Sequence, residues 1–214
     1  MAKLDHQFSE THPHDRTVLF SDAVFAIAIT LLALEIRIPE QAIDQLGVFG
    51  ALHRLIPLFV AYVVSFLVTA LFWAAHMQTW KYVTRVSGAL LWLNVLQLMF
   101  VALIPFSTGL YAEHFGNDAA FDVYCLDLAA VALFAHASRL YVIRSERLVE
   151  KLDAGQIGWM KWRSLTAFLV FVACIPLAAW DPWFGRLGFL LIFVMQAVLK
   201  RRYRHPPAPI ERTP

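Results

Sequence analysis

Six apolar stretches, each close to the length that crosses a lipid bilayer, dominate this sequence. A helix rises about 1.5 Å per residue, so roughly 20 apolar residues traverse the hydrocarbon core. Inside it a helix satisfies its own backbone amides and carbonyls, which an irregular chain cannot do. The stretches are read as spans over 17–37, 54–80, 86–112, 119–144, 161–180 and 183–201. The last two are short and separated only by the turn Asp181-Pro182-Trp183, which predicts a helical hairpin. Pro57, Pro105 and Pro176 fall in or near spans, where membrane helices tolerate proline better than soluble ones do. Residues 1–16 are polar and His-rich and read as a flexible lead, without the apolar core of a cleavable signal. Residues 145–161 read as a polar loop with a turn or two of surface helix, and 202–214 as a basic, Pro-rich tail. The expectation is an all-α membrane protein whose residues 1–214 form a single six-span domain, with the lipid bilayer as its solvent.

Composition agrees. Of the 214 residues 59% are hydrophobic and 16% charged, against about a quarter charged in soluble domains. A net charge of +2 gives no case for a nucleic-acid partner. Cys125 and Cys174 lie in apolar runs without ligand spacing and read as small core hydrophobes. His6, His12 and His14 could bind a metal, but a solvated tail is the preferred reading. No cofactor is expected.

The cations fix the number of spans and their direction. With six spans, fifteen of the eighteen lysines and arginines fall on the side that holds both termini. Only Arg37, Arg54 and Arg186 fall on the other, with Glu40, Asp44, Glu113 and Asp118. The positive-inside rule places that richer side, and both termini, in the cytoplasm. An odd number of spans would destroy the segregation.

Polar groups at membrane depth are where function is sought. Residues 16–36, RTVLFSDAVFAIAITLLALEI, set Ser21-Asp22 at the mouth of an apolar helix. Asp22 lies six residues past Arg16, and His76 on the second span lies five before Lys81. Both are therefore roughly 7–9 Å inside the same surface. Trp73, His76 and Trp80 share a helix face by their spacing, and Asn94 on the third span lies somewhat deeper. A Ser-Asp pair could thus find a histidine and an indole N–H on neighbouring helices. A buried polar clasp that fixes helix packing is the first reading; a proton relay through Asp22 and His76 is the sharper one. On a wheel of about 100° per residue, Asp22 faces away from the stripe Ala23–Ile27–Thr30–Leu31–Leu34. The carboxylate and the stripe cannot meet the same partner.

RxxxFSD, as Arg16, Phe20, Ser21 and Asp22, followed at once by an apolar run, resembles the signature of the transmembrane-protein-175 potassium channels. Trp73-x-x-His76, Asn94 and Pro105-Phe106 add weaker points of likeness, and the fourth span onward adds only topology. Ala23 stands where that family often has glycine and Leu19 where alanine is common; neither removes a functional group.

The resemblance implies a homotetramer of six-span subunits in the plasma membrane, with the first helix of each lining a central pore. The narrowest point would be built from apolar side chains, at Ile27, Leu31 and Leu34, with hydroxyls from Thr30. It implies a weakly selective, potassium-permeable cation channel closed by dewetting, with no metal beyond the permeating potassium. Arg16, Phe20, Ser21, Asp22, Trp73, His76 and Asn94 would then form the clasp that holds the pore helix. The alternative is a proton-coupled secondary transporter using Asp22 and His76, although the inverted repeats and paired broken helices of transporters are not evident. A membrane-embedded enzyme is not expected: no GxSxG, HExxH or paired intramembrane aspartates occur, and Asp127 stands alone on its span.

Overall fold

The computed structural model describes residues 2–37, 40–145 and 154–202, which are helical almost throughout. The helices are α1 (Ala2–Leu31), α2 (Glu40–Arg54), α3 (Ile56–Trp80), α4 (Gly88–Glu113), α5 (Asp118–Arg144), α6 (Ala154–Trp180) and α7 (Pro182–Arg202). Six stretches among the described residues are long and apolar enough to cross a membrane: Pro13–Glu35, Ile56–Trp80, Gly88–Glu113, Asp118–Arg144, Met160–Trp180 and Pro182–Leu199. They match the six expected spans to within a few residues. Residues 146–153 of the expected loop, and nearly all of the basic tail, lie outside the described residues.

Two features differ from the sequence reading. The lead expected to be flexible is helical from Ala2, continuous with the first span. Hydropathy registers where a helix enters lipid, not where it begins. Pro13 is tolerated inside α1, its carbonyl accepting the Thr17 hydroxyl at 2.7 Å. His14 Nε2 lies 3.2 Å from the Trp80 carbonyl, which docks this segment on the C-terminal end of α3. The second difference is α2, in a connection too polar to register as a span; it is kinked at Gly47, whose φ of 66° suits a residue without a Cβ.

The helix ends follow local chemistry. Ser87 caps α4 by accepting from Leu90 N at 3.2 Å, and Asn117 caps α5 by accepting from Ala119 N at 2.9 Å. Asp181 accepts from Trp183 N at 2.7 Å, turning the chain sharply between α6 and α7. The expected hairpin is therefore present. At its far end, α1 tightens into a 3₁₀ turn, Leu32–Glu35, before Ile36 turns extended.

Packing runs in sequence order from α4 through α7, with α1 seated on α3 and α4. Phe25, Leu32, Val68, Val101, Ile104, Leu128 and Phe171 form one buried core. Cys125 and Cys174 belong to it as free thiols. Because lipid supplies no hydrophobic drive between helices, close approach through small residues does much of the work. In the α6–α7 hairpin a Cβ on Gly185 would lie 2.5 Å from the Ala178 Cβ and 2.8 Å from its Cα. Gly185→Val should therefore pry the hairpin apart and destabilise the fold by about 1–3 kcal/mol. Thermal unfolding of the detergent-purified variant, read beside Gly188→Ala, checks this; equal melting temperatures would contradict it.

Candidate pore face and its polar clasp

Helix α1 divides lengthwise. Ser21, Phe25, Ala28 and Leu32 recur at helical spacing and are buried against α3 and α4. The opposite side, Ala23, Ile27, Thr30, Leu31 and Leu34, is exposed, with Ile27 at 57% and Leu34 at 63%. A 3₁₀ turn eclipses residues three apart. The turn at Leu32–Glu35 thus brings Leu34 into line above Leu31. Thr30 donates its hydroxyl proton to the Ile27 carbonyl at 2.8 Å, leaving the oxygen lone pairs on the exposed side.

The buried side is held by polar bonds from two adjacent residues. Ser21 Oγ donates to the Thr17 carbonyl at 2.8 Å and accepts from Asn94 Nδ2 at 3.0 Å. Asn94 Oδ1, which can only accept, lies 2.8 Å from His76 Nε2. His76 therefore carries its proton on Nε2. The imidazole lies between Phe25 and Trp80, at centroid distances of 5.5 and 5.6 Å, and its Nδ1 is buried without a partner. Asp22 takes a separate route, Oδ1 accepting from Trp73 Nε1 at 2.9 Å. One residue of α1 thus reaches α4 and, through it, α3, while the next reaches α3 directly.

Five of the seven residues read as a clasp are brought together: Ser21, Asp22, Trp73, His76 and Asn94. Arg16 and Phe20 stand outside those bonds. Both are exposed, beside a shallow groove that Leu91, Trp92 and Val95 also line. Asp22 and His76 make no hydrogen bond with each other, so the direct Asp–His pair needed for a relay is not formed.

Other polar contacts escaped the sequence reading. Tyr124 OH and Ser65 Oγ lie 2.7 Å apart, and Thr108 Oγ1 donates to Ser65 Oγ at 3.0 Å, which joins α3, α4 and α5. Asp127, read as standing alone, accepts from Ser107 Oγ at 2.7 Å. Serines and threonines inside apolar spans were the available signal, but one sequence does not reveal which of them meet. No group of three or more histidine, cysteine or carboxylate side chains suited to a metal occurs among the described residues.

Comparison with known proteins gives this geometry a context. Residues 16–105 match the sequence model of a family described as Endosomal/lysosomal potassium channel TMEM175. A potassium channel of Streptomyces collinus is 43% identical over 144 residues, 65% of this chain and 69% of that one. This chain belongs to the TMEM175 family. A potassium channel of Chamaesiphon minutus is 34% identical over 147 residues, covering 66% of this chain and 72% of its own. The crystal structure of a lysosomal potassium-selective channel TMEM175 homologue from Chamaesiphon minutus superposes with a TM-score of 0.77 at 26% identity. It covers 91% of this chain and 100% of that one. The matched region, 16–105, holds the whole clasp and the exposed stripe, and the family is one of ion channels rather than of enzymes.

The clasp behaves as one unit if its bonds depend on each other. Asn94→Ala leaves the buried His76 Nε2–H without an acceptor and takes from Ser21 Oγ the donor it accepts from, at a cost of about 1–3 kcal/mol. In that background His76→Ala should cost less than it does alone. Thermal unfolding of the two single variants and the double variant measures the coupling; strictly additive losses would contradict it.

Proposed function

We propose that this protein is a potassium-permeable, weakly selective cation channel. Four copies surround a central axis, and the exposed face of α1 lines the pore. The observation that carries this reading is the two-sidedness of α1. One face is bonded and packed to its own bundle, while Ile27, Leu31 and Leu34, with Thr30, form an unpartnered, mostly apolar stripe over the last third of the span Pro13–Glu35. The same face could serve lipid, but its relatives are named potassium channels. Four such stripes facing an axis give a pore without a carbonyl-lined filter.

Rings of isoleucine and leucine close such a pore by dewetting when it is narrow. An ion that passes must shed part of its water, and potassium does so at lower cost than sodium. Few protein oxygens replace that water; the Thr30 hydroxyls are the nearest on this face. Selectivity is therefore modest. The clasp holds α1 so that the rings stay in register, and both termini lie in the cytoplasm of a cell whose plasma membrane the protein spans.

Potassium-gradient flux into liposomes reconstituted with purified protein tests the reading. Wild type should conduct downhill, and Ile27→Asn should change rate or selectivity because it wets a ring. Asp22→Ala should mainly lower the yield of the assembled oligomer, seen by size-exclusion chromatography. No wild-type flux, or flux that needs a proton gradient and ignores Ile27, would overturn the channel in favour of a proton-coupled transporter.

A further inference from the structure

Arg139 is the most deeply buried cation among the described residues. It is 4% exposed on α5, about five residues before the helix ends at Arg144. In the sequence it counts simply as one more cation on the cytoplasmic side. In the fold its Nε donates to Thr79 Oγ1 at 2.8 Å and its Nη2 to the Ala75 carbonyl at 3.1 Å. Both partners are neutral, and no carboxylate among the described residues forms an ion pair with it. A guanidinium inside a lipid-embedded bundle needs stronger compensation than two neutral oxygens provide.

The surroundings supply a place for that compensation. Arg139 lines a small cavity between α3, α5, α6 and α7 of about 30 Å³, enough for about two waters, with Arg163, Ser164 and Gln196. Arg163, Gln196 and Leu71 also line the adjoining groove between α3 and the α6–α7 hairpin, which is about 380 Å³ and open outward. Arg163 is held in position by Gln78 and by Gln196 Oε1, the latter at 3.2 Å, and Gln196 Nε2 donates back to the Arg163 carbonyl at 3.1 Å. Below these polar groups the groove is apolar, lined by Leu71, Ala74 and Phe193, with Ala197 beside Gln196 at its upper end.

Depth identifies the occupant. Gln78 lies two residues before the end of its span at Trp80, Arg163 three after Met160, and Gln196 three before Leu199. At about 1.5 Å per residue all three sit a few ångströms inside the ends of these apolar stretches, where headgroups give way to acyl chains. We propose that the groove between α3 and the α6–α7 hairpin holds an anionic phospholipid of the cytoplasmic leaflet. Its phosphate sits at Arg163 and Gln78, close to the buried charge of Arg139, and one acyl chain runs down the apolar floor. Guanidinium groups suit phosphate because their N–H groups form paired, charge-assisted bonds. The site is separate from the α1 stripe, and its occupancy does not depend on whether the protein conducts.

The test is native mass spectrometry of delipidated, full-length protein titrated with phosphatidylglycerol or phosphatidylcholine. Wild type should retain phosphatidylglycerol about tenfold better, the effect of one charge-assisted contact. Arg163→Gln should bring the two lipids close to parity. Ala197→Trp, which fills the groove and leaves every charge in place, should reduce binding of phosphatidylglycerol. Equal retention of both lipids by wild type would overturn the proposal, as would selectivity that neither variant changes. Displacement of phosphatidylglycerol by millimolar inorganic phosphate would also overturn it, since the site would then take a free anion. So would loss of the oligomer in Ala197→Trp with lipid selectivity intact, which would make the groove a contact between copies.

Discussion

An apolar helix in an apolar solvent has no intrinsic reason to present one face rather than another. In water, burial of the greasier side fixes rotation; in lipid that drive is absent, and polar contacts and close packing must replace it. Between Arg16 and Glu35, α1 is bonded to its own bundle through Ser21 and Asp22. The Ser21–Asn94–His76 chain and the Asp22–Trp73 bond together set its rotation. Everything proposed for the opposite face depends on that setting, because a turn of about 100° would move Ile27, Leu31 and Leu34 off the axis.

The arrangement also explains where polar residues are affordable. A buried serine, asparagine or histidine in lipid is tolerated when its donors and acceptors are matched, and the clasp matches nearly all of them. The deeper set of Tyr124, Ser65 and Thr108 does the same between α3, α4 and α5. Polar bonds therefore join neighbouring helices of the bundle at two depths, while the exposed face of α1 is left almost wholly apolar. A rigid scaffold behind a smooth, greasy wall is what a dewetting constriction requires.

Much of this was legible in the sequence, for identifiable reasons. The six spans emerge because hydropathy and length measure the quantity the bilayer selects. The pairing of Asp22 with Trp73, and of His76 with Asn94 and Ser21, was partly readable because membrane depth converts residue counts into a common coordinate. What depth does not give is the partner within a layer: a direct Asp22–His76 contact was as consistent with the counting as the bonds observed. Arg16 and Phe20 belong to the motif yet not to the bonded set, since a motif records residues without saying which of them touch. The burial of Arg139 was invisible for a related reason: its position near a helix end suggests a solvated cation, and only the fold places α3 and α6 over it. Helix α2 and the helical start of α1 were missed because neither depends on entering the bilayer.

The central claim is that the exposed face of α1 faces ions and water rather than lipid. Cysteine accessibility tests it most directly, because the native Cys125 and Cys174 are both buried. A membrane-impermeant, charged thiol reagent would be applied during potassium flux through liposomes carrying Leu31→Cys, beside a peripheral control, Leu169→Cys on α6. Progressive block of Leu31→Cys with the control unaffected is the expected result. Unchanged flux through modified Leu31→Cys, or no modification of it while the protein conducts, would place that face in lipid and contradict the account.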